Sequence, residues 1–115
     1  MDNYESIKLN KTFRYLYAKG KSFVSPSVVV YFVPNRYGKQ RLGITTGKKI
    51  GKAVKRNRAR RVIRVAYRTL LPFLKEPYDM VIVARTRSVS ANAHEVTKDL
   101  KHCLKKAGVL YEDRH

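Results

Sequence analysis

One short stretch of the chain concentrates side chains that bind phosphate. The segment KKIGKAVKRNRARRVIRVAYR, residues 48–68, holds ten Lys or Arg side chains and no Asp or Glu. On a helix, like charges three or four residues apart repel each other by about 0.2–0.5 kcal/mol per pair. The planar guanidinium of Arg grips a phosphate through two parallel hydrogen bonds. We therefore expect a polyanion outside the chain to compensate this charge.

The same segment has the period of an amphipathic helix at about 100° per residue. Its apolar face is expected to contact the core and comprises Ala59, Val62, Ile63, Ala66 and Leu70, with Tyr67 at the edge. A second stripe must face outward and comprises Asn57, Arg61, Arg64 and Arg68, with Arg60 beside them. Further cations crowd the N-terminal end, where free backbone N–H groups also favour an anion, and these are Lys48, Lys49, Lys52, Lys55, Arg56 and Arg58. A solvated helix face is the alternative, but such faces normally mix both signs of charge.

Aromatic side chains indicate a second surface. The whole chain has eight Tyr, four Phe and no Trp, and several of these rings lie in its first third. Phe13 and Tyr17 lie one helical turn apart, and strand alternation places Tyr31 on one face of a predicted strand. If that helix lies beside the strand, the three rings line a groove edged by Lys and Arg. Unpaired bases stack on such rings, so the groove favours single-stranded nucleic acid. The alternative is that Phe13 and Tyr17 are ordinary core residues.

Motifs for enzyme chemistry fail on their spacing. The segment GKKIGK is one residue too short for a phosphate loop, and Ala53 stands where a metal-holding Ser or Thr is needed. The segment HEVTK begins at His94 like a zinc-protease helix, but Lys98 occupies the second ligand position. Paired carboxylates for acid–base catalysis are missing from the basic segment. We therefore expect neither a catalytic group nor a metal site in this chain.

The totals support one nucleic-acid-binding domain spanning residues 1–115. The chain is 43% hydrophobic, which is typical of a globular protein, and its formal charge is +18 at pH 7. Nucleic acid is the first partner that such charge indicates, and an anionic membrane is the second. No Asp or Glu occurs in residues 6–75, whereas acids and bases alternate from residue 76 onward. The C-terminal third therefore has the composition of a scaffold.

The single cysteine, Cys103, excludes an internal disulfide and favours a reducing compartment. Its simplest interpretation is a small buried hydrophobe. The N-terminal residues MDNYESIKLN lack the apolar core of a signal peptide, and the longest apolar run is far too short to span a bilayer. We expect a cytoplasmic protein with no membrane contact.

Propensity and turn residues predict an α+β sandwich, in which a small sheet carries packed helices. The expected helices are 11–19, capped by Asn10 and ended by Gly20, then 52–71, and finally 91–107, capped by Ser90 and ended by Gly108. The expected strands are 27–33 and 41–47, joined as a hairpin, and 78–85, buried on both faces, with a weakly signalled strand at 22–24. The unit of strand, long helix and strand would ordinarily cross over right-handed.

The basic segment resembles the signature of a known family. The residues that carry the resemblance are Lys48-Lys49-Ile50-Gly51, Ala53-Val54, Arg56-Asn57-Arg58, Arg60-Arg61 and Ile63-Arg64. They are similar to the motif of the bacterial ribonuclease P protein subunit, and the order of elements matches along nearly the whole chain. The resemblance implies a small basic protein that binds the catalytic RNA of ribonuclease P. That RNA removes the 5′ leader of precursor tRNA with Mg²⁺ that it holds itself.

The resemblance also implies roles for particular residues. Contacts with the catalytic RNA fall on Lys48, Lys49, Arg56, Asn57, Arg58, Arg60, Arg61 and Arg64. The single-stranded leader lies in a cleft lined by Phe13, Tyr17 and Tyr31, which reverses the core interpretation of the helical pair. The family has a left-handed crossover through its motif helix, contrary to the general rule stated above. No obligate protein partner is implied.

Two rivals remain open on the sequence. A ribosomal or other structural RNA-binding protein would share the basic surface but would need no leader-binding cleft. An autonomous nuclease would cut RNA without an RNA subunit.

Overall fold

A computed structural model describes residues 4–111, so residues 1–3 and 112–115 of the expected domain lie outside the described residues. The strands are β1 (Tyr4–Ser6), β2 (Lys21–Val24), β3 (Val28–Pro34), β4 (Gln40–Thr45) and β5 (Tyr78–Ala84). The α-helices are α1 (Asn10–Lys19), α2 (Ala53–Leu70) and α3 (Ala93–Ala107). Short 3₁₀ turns occupy Lys48–Ile50, Leu71–Phe73 and Thr86–Val89. No helix in this part of the chain has the length and apolar character needed to cross a membrane.

The strands form one sheet in the order β1-β4-β5-β3-β2. β5 pairs antiparallel with β3 and parallel with β4, so the predicted hairpin of 27–33 and 41–47 is wrong. β5 takes the central place because it is apolar on both faces and is best buried between two partners. The turn-like residues 35–39 therefore carry the chain past the end of β5. The parallel pair β4 and β5 is connected through α2, and the left hand of that crossover stays a prediction.

The two faces of the sheet are covered by different helices, which confirms the α+β sandwich. On one face the alternate residues of β3, β4 and β5 join α2 and α3 in the main core cluster. On the other face α1 packs through a smaller cluster centred on Ile7, Leu16 and Val81. Phe13, Tyr31, Val33 and Val83 pack around those three and remain partly exposed.

The helix starts differ from the sequence prediction at two positions. Asn10 is the first residue of α1, where Leu9 is the N-cap and no side chain caps the helix. Asn92, rather than Ser90, caps α3: its Oδ1 accepts the Glu95 N–H at 2.8 Å, and Glu95 Oε1 accepts the Asn92 N–H at 3.2 Å. Ser90 follows the 3₁₀ turn and bonds back to Arg87, so it is not available as a cap. This capping box satisfies two backbone donors at once.

Other predictions for the C-terminal third are confirmed. Gly108 ends α3 in the left-handed conformation, with φ of 74°. Val96, Leu100 and Leu104 are buried along the inner face of α3, with Ala107 packed at its edge. Cys103 is also buried, and burial raises the pKa of its thiol.

Candidate nucleic-acid interface

α2 presents the basic stripe because its apolar residues fix its orientation on the sheet. Ala59, Ile63, Ala66, Tyr67 and Leu70 are buried, and Val62 is partly buried against the same cluster. Tyr67 was placed at the edge of this face, but it is only 1% exposed and belongs to the core. The residues of the outward stripe are exposed or half-buried, and they are Asn57, Arg60, Arg61, Arg64 and Arg68. This is the division that the helical period predicted.

The lysines before α2 are gathered by a tight turn. Lys48 and Lys49 lie in the 3₁₀ turn, and both are exposed. Gly51 follows with φ of 124°, a backbone conformation that strains any residue with a Cβ. Lys52 then serves as the N-cap of α2 without a side-chain hydrogen bond. The turn therefore brings three ammonium groups to the end of α2 whose backbone N–H groups favour anions.

Several residues of this basic surface have no partner among the described residues. Among residues 4–111, no ion pair or hydrogen bond engages the charged or amide groups of Lys48, Lys49, Lys52, Asn57, Arg61 and Arg64. Some basic residues elsewhere do have an acidic partner: Arg41 makes a two-pronged salt bridge to Asp79, with both N–O distances at 2.8 Å. That hydrogen bonding raises the pKa of Arg41. No such acid lies beside Lys48, Lys49, Arg61 or Arg64 among the described residues.

Arg58 turns away from the stripe and into the protein. Its guanidinium donates to the carbonyl oxygens of Ser88 at 3.3 Å, Val89 at 2.7 Å and Ala91 at 3.1 Å. These bonds tie the start of α2 to the turn before α3. Arg56 is also half-buried, and its Nε is buried without a hydrogen-bond partner among the described residues. Arg58 therefore stabilises the packing of α2 against the turn before α3, which the motif alone does not reveal.

The three predicted cleft residues come together on the face of the sheet that α1 covers. The rings of Tyr17 and Tyr31 meet edge to face, with centroids 4.9 Å apart at 83°. Phe13 lies over Gly43, so closely that a Cβ at position 43 would sit 2.6 Å from two ring carbons. Tyr17 is 42% exposed, and Phe13 and Tyr31 are half-buried. The three rings are thus packed on one side and accessible to solvent on the other.

Strand register explains how the cleft is built. Tyr31, Val81 and Gly43 form one row across β3, β5 and β4, beneath α1. The adjacent row is Val29, Val83 and Thr45, and all three residues are partly exposed. This open row continues to a cavity of about 520 Å³ that Lys48, Lys49 and Arg85 border. A largely apolar, partly exposed surface thus runs from Tyr17 and Tyr31 to the 3₁₀ turn at Lys48–Ile50.

Comparison with known proteins decides the family. The family model for ribonuclease P matches residues 1–108 of the chain. The chain belongs to the ribonuclease P protein family. The "Ribonuclease P protein component" of Oceanobacillus iheyensis is 40% identical over 110 residues, which cover 95% of this chain and 91% of that protein. The protein of the same name from Clostridium botulinum strain 657 is 40% identical over 104 residues, which cover 90% and 94%.

Solved structures of ribonuclease P proteins share the fold. The Staphylococcus aureus protein at 2.0 Å superposes with a TM-score of 0.82 at 33% identity, covering 92% of this chain and 97% of that one. The Thermotoga maritima protein gives a TM-score of 0.78 at 28% identity, covering 89% and 96%. The resemblance drawn from the basic motif is therefore confirmed. As a ribonuclease P protein, the chain is part of an RNA-processing enzyme and has an RNA partner.

The sequence pattern did not predict the residues that position Phe13 and Arg60. Gly43 provides the flat surface for Phe13, and Thr46 Oγ1 accepts a hydrogen bond of 3.1 Å from Arg60 Nε. A glycine inside the strand pattern RLGIT was the available signal, since strand glycines often mark a close approach. No comparable signal identified β1, whose three residues Tyr4–Ser6 are too few and too polar to show alternation.

Proposed function

We propose that this ribonuclease P protein binds the catalytic RNA through the α2 stripe and the preceding lysines, and holds the single-stranded 5′ leader of precursor tRNA in the aromatic cleft. The RNA performs the cleavage. The observation that carries the proposal is the tyrosine pair, Tyr17 against Tyr31, on an open sheet face that leads to Lys48 and Lys49. Stacking surfaces and cations on one path are what an unpaired polynucleotide requires.

The stripe supplies sequence-independent affinity. Each cation that neutralises a phosphate releases a condensed counterion, so binding weakens as salt rises. Arg61 and Arg64 lie three residues apart on one face of α2, and Asn57 adds an amide one turn before Arg61. The protein also screens repulsion between RNA phosphates, which eases the binding of Mg²⁺ to the RNA.

The cleft supplies the difference between precursor and product. A base stacked on an aromatic ring contributes about 1–3 kcal/mol. Mature tRNA has lost its leader and gains nothing from Phe13, Tyr17 and Tyr31. The protein therefore tightens precursor binding relative to product binding, and the cut end is free to leave.

The Mg²⁺ that the family implies is assigned to the RNA. Magnesium is bound by oxygen ligands, especially carboxylates. Residues 4–111 contain no cluster of three or more His, Cys, Asp or Glu that would hold a metal ion, and no acid occurs in residues 6–75. The donor set of the described surface thus does not fit a magnesium site, and this chain contributes charge screening and leader positioning.

The leader-binding part is tested by Tyr17→Ala against a matched control, Tyr15→Ala. Tyr15 is two residues away on α1 and 55% exposed, but it makes no ring contact in the described structure. Each variant is assembled with ribonuclease P RNA, and the Kd values of precursor and leaderless tRNA are measured. Tyr17→Ala should weaken precursor binding about tenfold, as the loss of one stacked base implies, and leave leaderless tRNA unchanged. Tyr15→Ala should change neither Kd.

Two outcomes favour the rival functions. Equal losses on both substrates would show that the cleft holds no leader, as in a structural RNA-binding protein. Cleavage of RNA by the purified protein without its RNA subunit would indicate a nuclease activity of its own. The second assay is pertinent because one Staphylococcus aureus structure is described as a mutant with defective mRNA degradation activity.

A further inference from the structure

A second cleft, of about 300 Å³, opens where β1 ends beside β4. We name it the β4-edge pocket and define it by Ser6, Phe13, Gly43, Ile44, Arg60 and Arg64, which line it. It wraps around the edge of the sheet, because α1 contributes Phe13 from one face and α2 contributes the two arginines from the other. It shares Phe13 with the aromatic cleft but is separate from the tyrosine pair, since Tyr31 lies on β3, across β5 from β4.

The wall of this pocket includes an unused stretch of strand edge. The Ile7 N–H donates to the Leu42 carbonyl at 2.8 Å, so the backbone groups of Leu42 point toward β1. Successive residues of a strand point their backbone groups to opposite sides, so those of Ile44 point the same way as those of Leu42. β1 ends at Ser6, and the chain has entered α1 by Asn10. One N–H and one C=O of Ile44 therefore face the pocket instead of another strand.

Two guanidinium groups lie across from this edge. Arg60 and Arg64 are four residues apart on α2, so their side chains lie side by side. Arg60 uses Nε to hold Thr46 Oγ1, which fixes its position and leaves its terminal N–H groups available. No acid among the described residues pairs with either arginine. An anion bound here would receive charge-assisted hydrogen bonds from both.

Phe13 provides the third element, an aromatic ring in the lining of the pocket. Its ring is held against the Gly43 backbone and is half-buried. The pocket thus combines an aromatic ring, a backbone donor and acceptor pair, and two cations. A nucleotide has a matching group for each element. The face of its base stacks on the ring, the edge of its base bonds the backbone pair, and its phosphate binds the two cations.

We propose that the β4-edge pocket binds one unpaired nucleotide, with its phosphate on Arg60 and Arg64 and its base on Phe13 and the Ile44 backbone. The assignment rests on the proposed function, since the nucleotide comes either from the leader or from an unpaired position of the catalytic RNA. A β-strand of another protein is a poorer occupant. The unpaired edge of β4 is only a few residues long, which is too short for a stable strand pairing, and two arginines face it.

The test uses Ser6, whose side chain is exposed and supports no core contact. Ser6→Leu fills the pocket, and Ser6→Asp places a carboxylate opposite the arginines. The matched controls are Ser90→Leu and Ser90→Asp, at an exposed position before α3 that lies in neither the aromatic cleft nor the stripe. Kd values are measured for each protein with ribonuclease P RNA alone, and for each assembled enzyme with precursor and leaderless tRNA.

Both Ser6 variants should lose about tenfold in affinity in one of these arms, as expected for one stacked and hydrogen-bonded nucleotide. A loss with ribonuclease P RNA alone assigns the nucleotide to that RNA, and a loss confined to precursor assigns it to the leader. In the responding RNA, one abasic substitution should reproduce the loss and add nothing to it in Ser6→Leu. The pocket is overturned if the Ser6 variants bind as tightly as their Ser90 controls in every arm. Equal losses at several abasic positions would overturn it as well.

The two proposals fail in different ways. If the unmodified protein binds neither ribonuclease P RNA nor the leader, the proposed function fails. If the unmodified protein binds both and the Ser6 variants bind equally well, only the β4-edge pocket fails.

Discussion

The two faces of the sheet differ in how completely helices cover them. On the α2 and α3 face, the alternate residues of the central strands are almost fully buried, as Val28, Val30, Met80 and Ile82 all have no exposed surface. On the α1 face, a ten-residue helix covers one row of the sheet and leaves the next row partly exposed. The closed face therefore holds most of the core, whereas the open face leaves apolar and aromatic side chains accessible.

The same division occurs within α2 itself. Its inner residues belong to the closed face, and on its outer face Arg61 and Arg64 form no ion pair with an acid among residues 4–111. A charge left unpaired on a surface costs little in water. If the stripe binds RNA as proposed, stability and binding depend on different residues of one helix.

The largest effect should follow from Leu100→Ala on the closed face. Leu100 has no exposed surface and packs in the main cluster, so its truncation removes buried area and leaves a cavity. We expect the free energy of unfolding to fall by about 2–5 kcal/mol. Urea denaturation followed by circular dichroism measures it.

The control on the open face is Tyr17→Ala, which truncates a ring that is 42% exposed. Its cost in unfolding free energy should be the smaller of the two, even though it removes more atoms. If Tyr17→Ala destabilises the protein as much as Leu100→Ala, the α1 face is a second core and the comparison of the two faces is wrong.

Local sequence signals predicted the elements that decide this division. The apolar period of α2 and the apolar run at residues 80–84 of β5 identified a helix with one buried face and a strand with two. The spacing of Phe13 and Tyr17 left a cleft and an ordinary core as alternatives, and the family resemblance chose the cleft. For α2 and β5 the information lies within one element, since side-chain direction follows from the helix or strand period.

Features that join distant segments were not predictable in the same way. The hairpin prediction failed because residues 35–39 read as a turn but do not specify which strand β3 pairs with. Arg58 has the same sequence context as its basic neighbours, yet its partners lie about 30 residues further along the chain. Only the packed fold shows that the turn before α3 offers three carbonyl groups to that guanidinium.

The second prediction compares Arg58 with Arg61 within α2. Arg58→Ala removes three hydrogen bonds from a charged donor, so we expect the free energy of unfolding to fall by about 1–3 kcal/mol. Under conditions where it is folded, its RNA binding should keep the salt dependence of the unmodified protein.

Arg61→Ala should behave in the opposite way. Its unfolding free energy should stay within about 0.5 kcal/mol, because the side chain is exposed. The slope of log K against log salt for ribonuclease P RNA should fall by about one if Arg61 holds one phosphate. A reduced slope in Arg58→Ala would instead assign Arg58 to the RNA, as the family motif implies.

The smallest effect concerns a polar group enclosed in the closed face, the hydroxyl of Tyr67. The residue is 1% exposed, and its oxygen has no hydrogen-bond partner among the described residues. Its ring instead meets Tyr4 edge to face, with centroids 5.1 Å apart. Because a buried unpaired hydroxyl costs free energy, Tyr67→Phe should stabilise the protein, by about 1 kcal/mol.

Alkaline pH separates this cost from simple repacking. Burial raises the pKa of Tyr67, with smaller contributions from Tyr4 and Asp79. In the unfolded chain the group ionises near pH 10, so the unfolded state binds fewer protons than the folded state above that pH. The contribution of Tyr67 is therefore intact below about pH 10 and is lost as the pH rises further toward the folded-state pKa. The stability advantage of Tyr67→Phe should widen from about pH 10 upward, and an advantage independent of pH would mean that the hydroxyl ionises equally well in the folded protein.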